Sequence, residues 1–256
     1  MNPSTKLLLA ITPVFLLGAC GGSDDDSLDD RLNIADPKVR LVHAVPLAPN
    51  VSLFRADVAQ AADVTNMAYK GASNYFDVST STAVWDVRTA TTPALPVGSV
   101  TFDANRGRKY TLLAVPDAGS VTEVVLIDDP YTRGIVSDNA RVRMFNGSFN
   151  AASVDVYLTA PGADLATATP TFGAVGYKQA APATGVNSSE IEGGAYSLRI
   201  TTAGTKTVIF TSPVNLAKNA DWLMTSVPGS VTPGDVKVLV IRSDEGAPST
   251  ELVNTP

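Results

Sequence analysis

The chain has 256 residues, 45% of them hydrophobic and 17% charged, with a formal net charge of −6. That balance is globular and not disordered, and the length suits one large or two ordinary domains. No cluster of Lys and Arg is present to neutralise phosphates, which argues against nucleic acid as a partner, and a single cysteine excludes an internal disulfide.

The N-terminal segment carries Lys6 and then an apolar run from Leu7 to Leu17, too short to cross a hydrocarbon core of about 30 Å as a helix. It ends in Leu17-Gly18-Ala19-Cys20, which resembles the lipobox of bacterial lipoproteins. The expectation is a signal peptide over residues 1–19, lipidation at Cys20, and attachment to a membrane through that lipid. Gly21 stands where an Asp would resemble an inner-membrane retention signal, so the cell envelope's outer membrane is expected over the inner. Removal of Lys6 with the signal leaves −7, of which Asp24, Asp25, Asp26, Asp29 and Asp30, offset by Arg31, supply −4. Residues 20–37 are rich in Gly, Ser and Asp and read as an acidic flexible tether, with a reach of about 20 to 25 Å. The Asp run lacks the interspersed Gly and terminal Glu of a calcium loop.

Beyond Pro37, short β-rich runs follow one another, each bounded by Gly, Pro, Asn or Asp. The first half holds Val39–Val42, Val51–Phe54, Val84–Val87, Tyr110–Val115 and Val124–Ile127. Ala-rich Val58–Met67 has room for one helical turn or two. The second half holds Val142–Phe145, Val154–Leu158, Tyr196–Ile200, Thr207–Phe210, Trp222–Thr225 and Val236–Ile241. The body is predicted to be all-β.

The two halves repeat each other. Val39-Arg40-Leu41-Val42 aligns with Val142-Arg143-Met144-Phe145, and Val51-Ser52-Leu53-Phe54 with Val154-Asp155-Val156-Tyr157 at the same spacing. In the same order, Tyr69-Lys70 aligns with Tyr177-Lys178, Trp85-Asp86-Val87-Arg88 with Tyr196-Ser197-Leu198-Arg199, and Tyr110 through Pro116 with Trp222 through Pro228. Five collinear matches imply a duplicated unit of about a hundred residues, the size of a small sandwich domain. The predicted division is a first sandwich over 38–129, a linker over 130–138, a second sandwich over 139–245 and a tail over 246–256, each sandwich being expected to fold alone.

The opening strand and turn resemble the bacterial family of the domain of unknown function 4397, whose pattern runs Val-Arg-x-x-His-Ala-Ser-Pro-Asp-Ala-Pro-x-Val-Asp-Val-Tyr. The first repeat keeps Val39-Arg40, His43-Ala44, Pro46, Ala48-Pro49 and Val51, and departs at Val45, Leu47 and Ser52. The second keeps Val154-Asp155-Val156-Tyr157 and replaces the turn with Asn146-Gly147-Ser148-Phe149-Asn150. The resemblance implies tandem immunoglobulin-like or transthyretin-like sandwiches on exported proteins, with no established activity.

Candidate chemistry is sparse. His43 is the sole histidine, so a His-based zinc site or a Ser-His-Asp relay has one imidazole to draw on. No Gly-x-Ser-x-Gly, Walker or Gly-x-Gly-x-x-Gly motif is present, and no catalytic residue, metal ligand or cofactor is assigned. His43 is expected to hydrogen-bond its own turn. Trp85, Trp222, Tyr110 and Tyr196 fit core positions better than a carbohydrate platform. A possible contact surface comprises His43, Tyr69, Lys70, Tyr177 and Lys178; equally, each Tyr-Lys pair reads as a buried ring beside a solvated ammonium. Asn50, Asn146 and Asn187 begin Asn-x-Ser triplets that carry little meaning in a bacterial lipoprotein. Asp77, Asp86, Asp103 and Glu190 are scattered acids from which a carboxylate-only hydrolase would have to be built. The leading expectation is a non-catalytic envelope protein binding an unknown envelope protein or glycan, with a spacer that assembles through edge strands as its rival.

Overall fold

The computed structural model describes residues 35–60, 62–117, 122–131, 137–243 and 249–255; the lipobox, with Cys20, and most of the tether lie outside them. The first half carries β1 (Lys38–His43), β2 (Val51–Arg55), β3 (Val58–Ala59), β4 (Phe76–Asp77), β5 (Thr82–Thr89), β6 (Pro96–Asp103), β7 (Arg108–Pro116) and β8 (Thr122–Pro130). The second carries β9 (Asn139–Asn146), β10 (Ser153–Thr159), β11 (Phe172–Gly176), β12 (Ala180–Ala181) and β13 (Ser189–Glu192). It continues with β14 (Gly194–Thr202), β15 (Val208–Leu216), β16 (Asp221–Pro228), β17 (Val236–Arg242) and β18 (Ser249–Glu251). Strands make up 55% of the chain and helix 1%, so the all-β expectation stands. Where Val58–Met67 offered a helical reading, one 3-10 turn forms at Ala62–Val64.

Each half makes two sheets. In the first the orders are β4-β1-β7-β8 and β3-β2-β5-β6; in the second, β12-β9-β16-β17-β18, with β13 also on β9, and β11-β10-β14-β15. Apolar residues alternate along the strands and close a core between the sheets of each half. Leu41, Leu53, Trp85, Val87, Tyr110 and Leu112 fill the first core, and Val142, Val156, Leu198, Ile200, Trp222 and Val240 the second. Gly98 lets β6 lie against β8, since a Cβ there would stand 2.9 Å from the Val124 nitrogen.

The strand registers test the internal repeat residue by residue. β1 runs parallel to β7 with Val39 opposite Tyr110, and β9 runs parallel to β16 with Val142 opposite Trp222, as the alignment requires. One match is displaced: Leu53 faces Val87 while its counterpart Val156 faces Ile200. The structural mate of Trp85 is therefore Leu198, two residues beyond Tyr196. A slip of two residues preserves the side-chain face, so hydrophobic alternation alone does not reveal it.

A third core lies between the halves, which the division into two autonomous sandwiches does not foresee. Val42, Ala72, Leu113, Val115 and Ile127 of the first half meet Phe145, Leu223, Val227, Leu239 and Ile241 of the second. Apart from Ala72, which precedes β4, and Ile127 on β8, these residues occupy the opposite faces of β1, β7, β9, β16 and β17, which are consequently buried on both sides. The C-terminal stretch is also structural rather than a free tail. β18 pairs with β17, and Thr255 donates its amide to the Thr211 carbonyl at 2.8 Å, tying the segment across to β15.

Candidate functional site

His43 ends β1 and is fully buried. Its Nε2 lies 3.1 Å from the Pro49 carbonyl oxygen, and its Nδ1 accepts from the Val45 amide at 3.4 Å. A carbonyl only accepts, so Nε2 carries the proton and the ring is neutral in this arrangement. Burial lowers the imidazole pKa below 6.5, and the Pro49 hydrogen bond offsets this only in part. The structural mate of His43 is Asn146, also fully buried. Its Oδ1 accepts from the Ser148 amide, the counterpart of Val45, at 3.1 Å, while its Nδ2 donates to the Ala151 carbonyl at 2.8 Å. Imidazole and amide do the same work: one acceptor and one donor that staple the turn after the first strand.

The motif carboxylate is likewise structural. Asp155 accepts from the amides of Ala174 at 2.7 Å and Gly204 at 2.8 Å, pinning β11 and the β14–β15 hairpin. Its mate Ser52 accepts from the Asn66 amide at 3.0 Å. Tyr157, beside Asp155 in the motif, is buried on the outer face of its sheet. Arg199 and Lys206, which donate to the carbonyls of Ala163 and Ala168, hold the loop over residues 160–171 across that face.

The two Tyr-Lys pairs form corners between the halves. Lys70 and Lys178 both adopt positive φ, 68° and 60°, and each donates its amide to the carbonyl of the stapling residue, His43 or Asn146. Lys70 is ion-paired with Glu251 of the second half, and Lys178 with Glu123 and, at 3.1 Å, Asp117 of the first. The Tyr177 hydroxyl donates to the Pro116 carbonyl. Burial, and then the Glu251 charge, push Tyr69 up to about 12; burial does the same for Tyr177, more than offsetting Lys178. The surface shared by Tyr69, Lys70, Tyr177 and Lys178 is thus in large part an intrachain one, and His43 is interior.

Arg40 and Arg143, the paired arginines of the Val-Arg motif, are buried in the same junction. Arg143 donates to Asp129 at 3.2 Å, and Arg141 donates to Asp129 at 2.9 Å and to Asp221 at 3.4 Å. Arg40 donates to Thr111 Oγ1 at 2.9 Å and to Ser243 Oγ at 3.3 Å. Tyr131 lies under both the Lys109 ammonium, 3.5 Å from the ring centroid, and the Arg141 guanidinium, at 4.5 Å. Sequence reading missed this junction. Its signal is the apolar character of β1, β7 and β16 on both faces, which marks strands covered on two sides.

The scattered acids stay dispersed. Asp77, Asp86, Asp103 and Glu190 lie on four strands; Asp86 is ion-paired with Arg88, and Asp103 accepts from Thr82. Among the described residues no group of three or more His, Cys, Asp or Glu side chains is placed to hold a metal ion.

Fold and junction together define a double β-sandwich whose motif residues hold turns, hairpins and the inter-repeat contact. Residues 37–157 match the family model described as domain of unknown function DUF4397, so the resemblance in the opening strand and turn extends over all of the first sandwich and into β10. Among curated proteins none matches the chain.

Proposed function

We propose that this is a non-catalytic, lipid-anchored protein of the cell envelope, held in the outer membrane through Cys20, whose paired sandwiches present loops to a protein or glycan partner. The observation that carries this reading is the direction of the loops. The chain enters the body at the start of β1, and the turns over 44–50 and 90–95 lie at the opposite end of the first sandwich. Those over 147–152, 203–207 and 229–235 lie at the matching end of the second. Contacts of Tyr177 and Lys178 with Pro116 and Asp117 bring the two ends side by side. Leu47, Leu95, Val208 and Val231 stand exposed there, Leu47 at 101% and with φ of 60°. Loops on a rigid scaffold commonly carry recognition, and a tethered body would face them away from its own membrane. Pairing through edge strands has less support, because Pro213 removes an amide donor from the edge strand β15.

Two measurements test this. Intact mass of membrane-extracted protein should show acyl chains on Cys20, and Cys20→Ser should yield an unprocessed or soluble form; an unmodified thiol overturns the anchor. Capture from envelope extract should then compare the body over 35–256 with its Leu47→Asp, Val231→Asp variant. Both side chains are exposed, so the fold should survive and the partner be lost. Equal retention overturns the assignment to these loops.

A further inference from the structure

We infer that the C-terminal strand β18 is a releasable clasp between the two sandwiches: seated, it supplies the carboxylate that holds the Lys70 corner to the second half, and released, it frees that corner while both cores stay folded. The contacts across the junction recur with the roles of the halves exchanged, as across a two-fold axis. Val42 is the mate of Phe145, Ala72 of Ala180 and Ile127 of Ile241, and all six lie in or pack against the shared core.

The two Tyr-Lys corners should then be alike, and on the lysine side they are. Lys70 and Lys178 share a positive φ, and each ammonium lies over the ring of the preceding tyrosine, 5.4 and 5.2 Å from its centroid. The facing sides differ. Lys178 meets Asp117 and Glu123, both from the β7–β8 hairpin. Asp117 follows Pro116, the mate of Pro228, so its own mate is Gly229; Glu123 is opposite Val115 as Lys237 is opposite Val227. Both acids are therefore replaced at the Lys70 corner, one by a residue with no side chain and the other by a like charge. Glu251 takes their place from a different strand. Its carboxylate is ion-paired with Lys70 and reaches Lys237 at 3.5 Å, so it stands between the two ammoniums. On the same strand Ser249 donates its hydroxyl to the Lys70 carbonyl at 2.7 Å.

The strand itself is lightly held. Its ladder to β17 covers Ser249, Thr250 and Glu251. Leu252 adds an amide bond to the Val238 carbonyl and packs, partly buried, on the second core, while Val253 is 73% exposed and the exposed Asn254 and Thr255 bond Thr211 of β15. A groove of about 370 Å³, lined by Phe210, Val236, Leu252 and Val253 among others, leaves one flank of the strand open. The first sandwich does without such a strand, because β6 closes directly on β8 at Gly98. A segment with few buried apolar contacts opens before the cores beneath it. Opening this one withdraws Glu251 from between Lys70 and Lys237 and turns an attraction across the junction into a repulsion.

The test is native-state amide hydrogen exchange, followed by NMR in stepped urea, on the whole body over 35–256. The Leu252 and Lys70 amides should exchange through one shared local opening, and the Lys178 amide, whose corner carries its own acids, only through a larger one. Glu251→Gln keeps the backbone ladder of β18, so the strand should remain in place in the folded protein while exchange at Lys70 rises roughly three- to tenfold and exchange at Lys178 stays as it was. Adding Lys237→Glu gives Lys70 the acid that Glu123 gives Lys178, and slow exchange at Lys70 should return; a strand that served only to cover the second core would give no such rescue. Exchange of the Lys70 amide only in the opening that frees Lys178 overturns the clasp. So does a Lys70 rate that is unchanged in Glu251→Gln, or one that Lys237→Glu fails to restore.

Discussion

The exchange of His43 for Asn146 between the repeats states what the position requires: a side chain with one acceptor and one donor, fully buried. His43→Asn should therefore be tolerated, whereas His43→Ala strands the Val45 amide and the Pro49 carbonyl and should cost about 1–3 kcal/mol. The same exchange alters the pH response. Burial lowers the folded-state pKa of His43 below its ordinary 6.5, so between the two values the unfolded chain binds more protons and stability rises with pH. The contribution is fully present above pH 6.5 and is lost as pH falls toward the folded-state value. In His43→Asn the stability curve should flatten in that window while the neutral-pH Tm stays near the original, as urea titrations at stepped pH would show. Unchanged slopes would mean that the imidazole is not the titrating group. At lower pH a separate loss should appear. Burial raises the Glu251 carboxyl, Lys70 and Lys237 more than reverse this, and the net shift is downward from 4.5; stability is held above that value and lost as the carboxylate protonates. Asp155→Ala should cost about 1–3 kcal/mol as well, because it removes the acceptor of both the Ala174 and the Gly204 amide.

At the level of strands, Trp85 on β5 and Trp222 on β16 occupy different places in the repeat yet fill equivalent needs, each buried in the core between its two sheets. Trp85 stacks on Phe102 at 5.8 Å, and Phe102 meets Tyr110 at 4.6 Å with the rings tilted by 34°. Trp85→Ala and Trp222→Ala should each cost about 3–5 kcal/mol through lost burial and the cavity left behind, visible as early melting or poor expression; a Tm equal to that of the unaltered protein would put the ring at the surface. Strand identity, the duplication and the structural use of His43 were legible from period-two alternation and from collinear matches, because a sandwich writes its buried faces into every second residue. The mate of Trp85 was not, since Leu198 and Tyr196 share one face and differ only in register. Nor was the third core. Val42, Leu113 and Leu223 read as the middle of apolar strands, and whether their second face meets solvent or another sheet depends on how the repeats dock.

The whole molecule behaves as a fused dimer of its own repeat, and the charges at the junction show which half could pair with itself. Separately expressed halves, 35–131 and 137–255, each expose the apolar face around Val42 and Leu113 or Phe145 and Leu239, so mixing them should give a one-to-one complex. Self-pairing is unequal. In a dimer of the first half, each Arg40 meets the copy's Asp129, and each Lys70 meets Glu123, the residue that Lys178 contacts in the intact chain. In a dimer of the second half, Lys178 takes the place of Lys70 and meets Glu251, but Arg143 meets Ser243 where the intact chain gives it the carboxylate of Asp129, leaving a buried guanidinium without that partner. The first half alone should be a homodimer and the second a monomer or an aggregate, as light scattering on size-exclusion fractions would resolve. A stable homodimer of the second half would contradict this charge argument, and two stable monomers with no mutual affinity would remove the shared core as a source of stability.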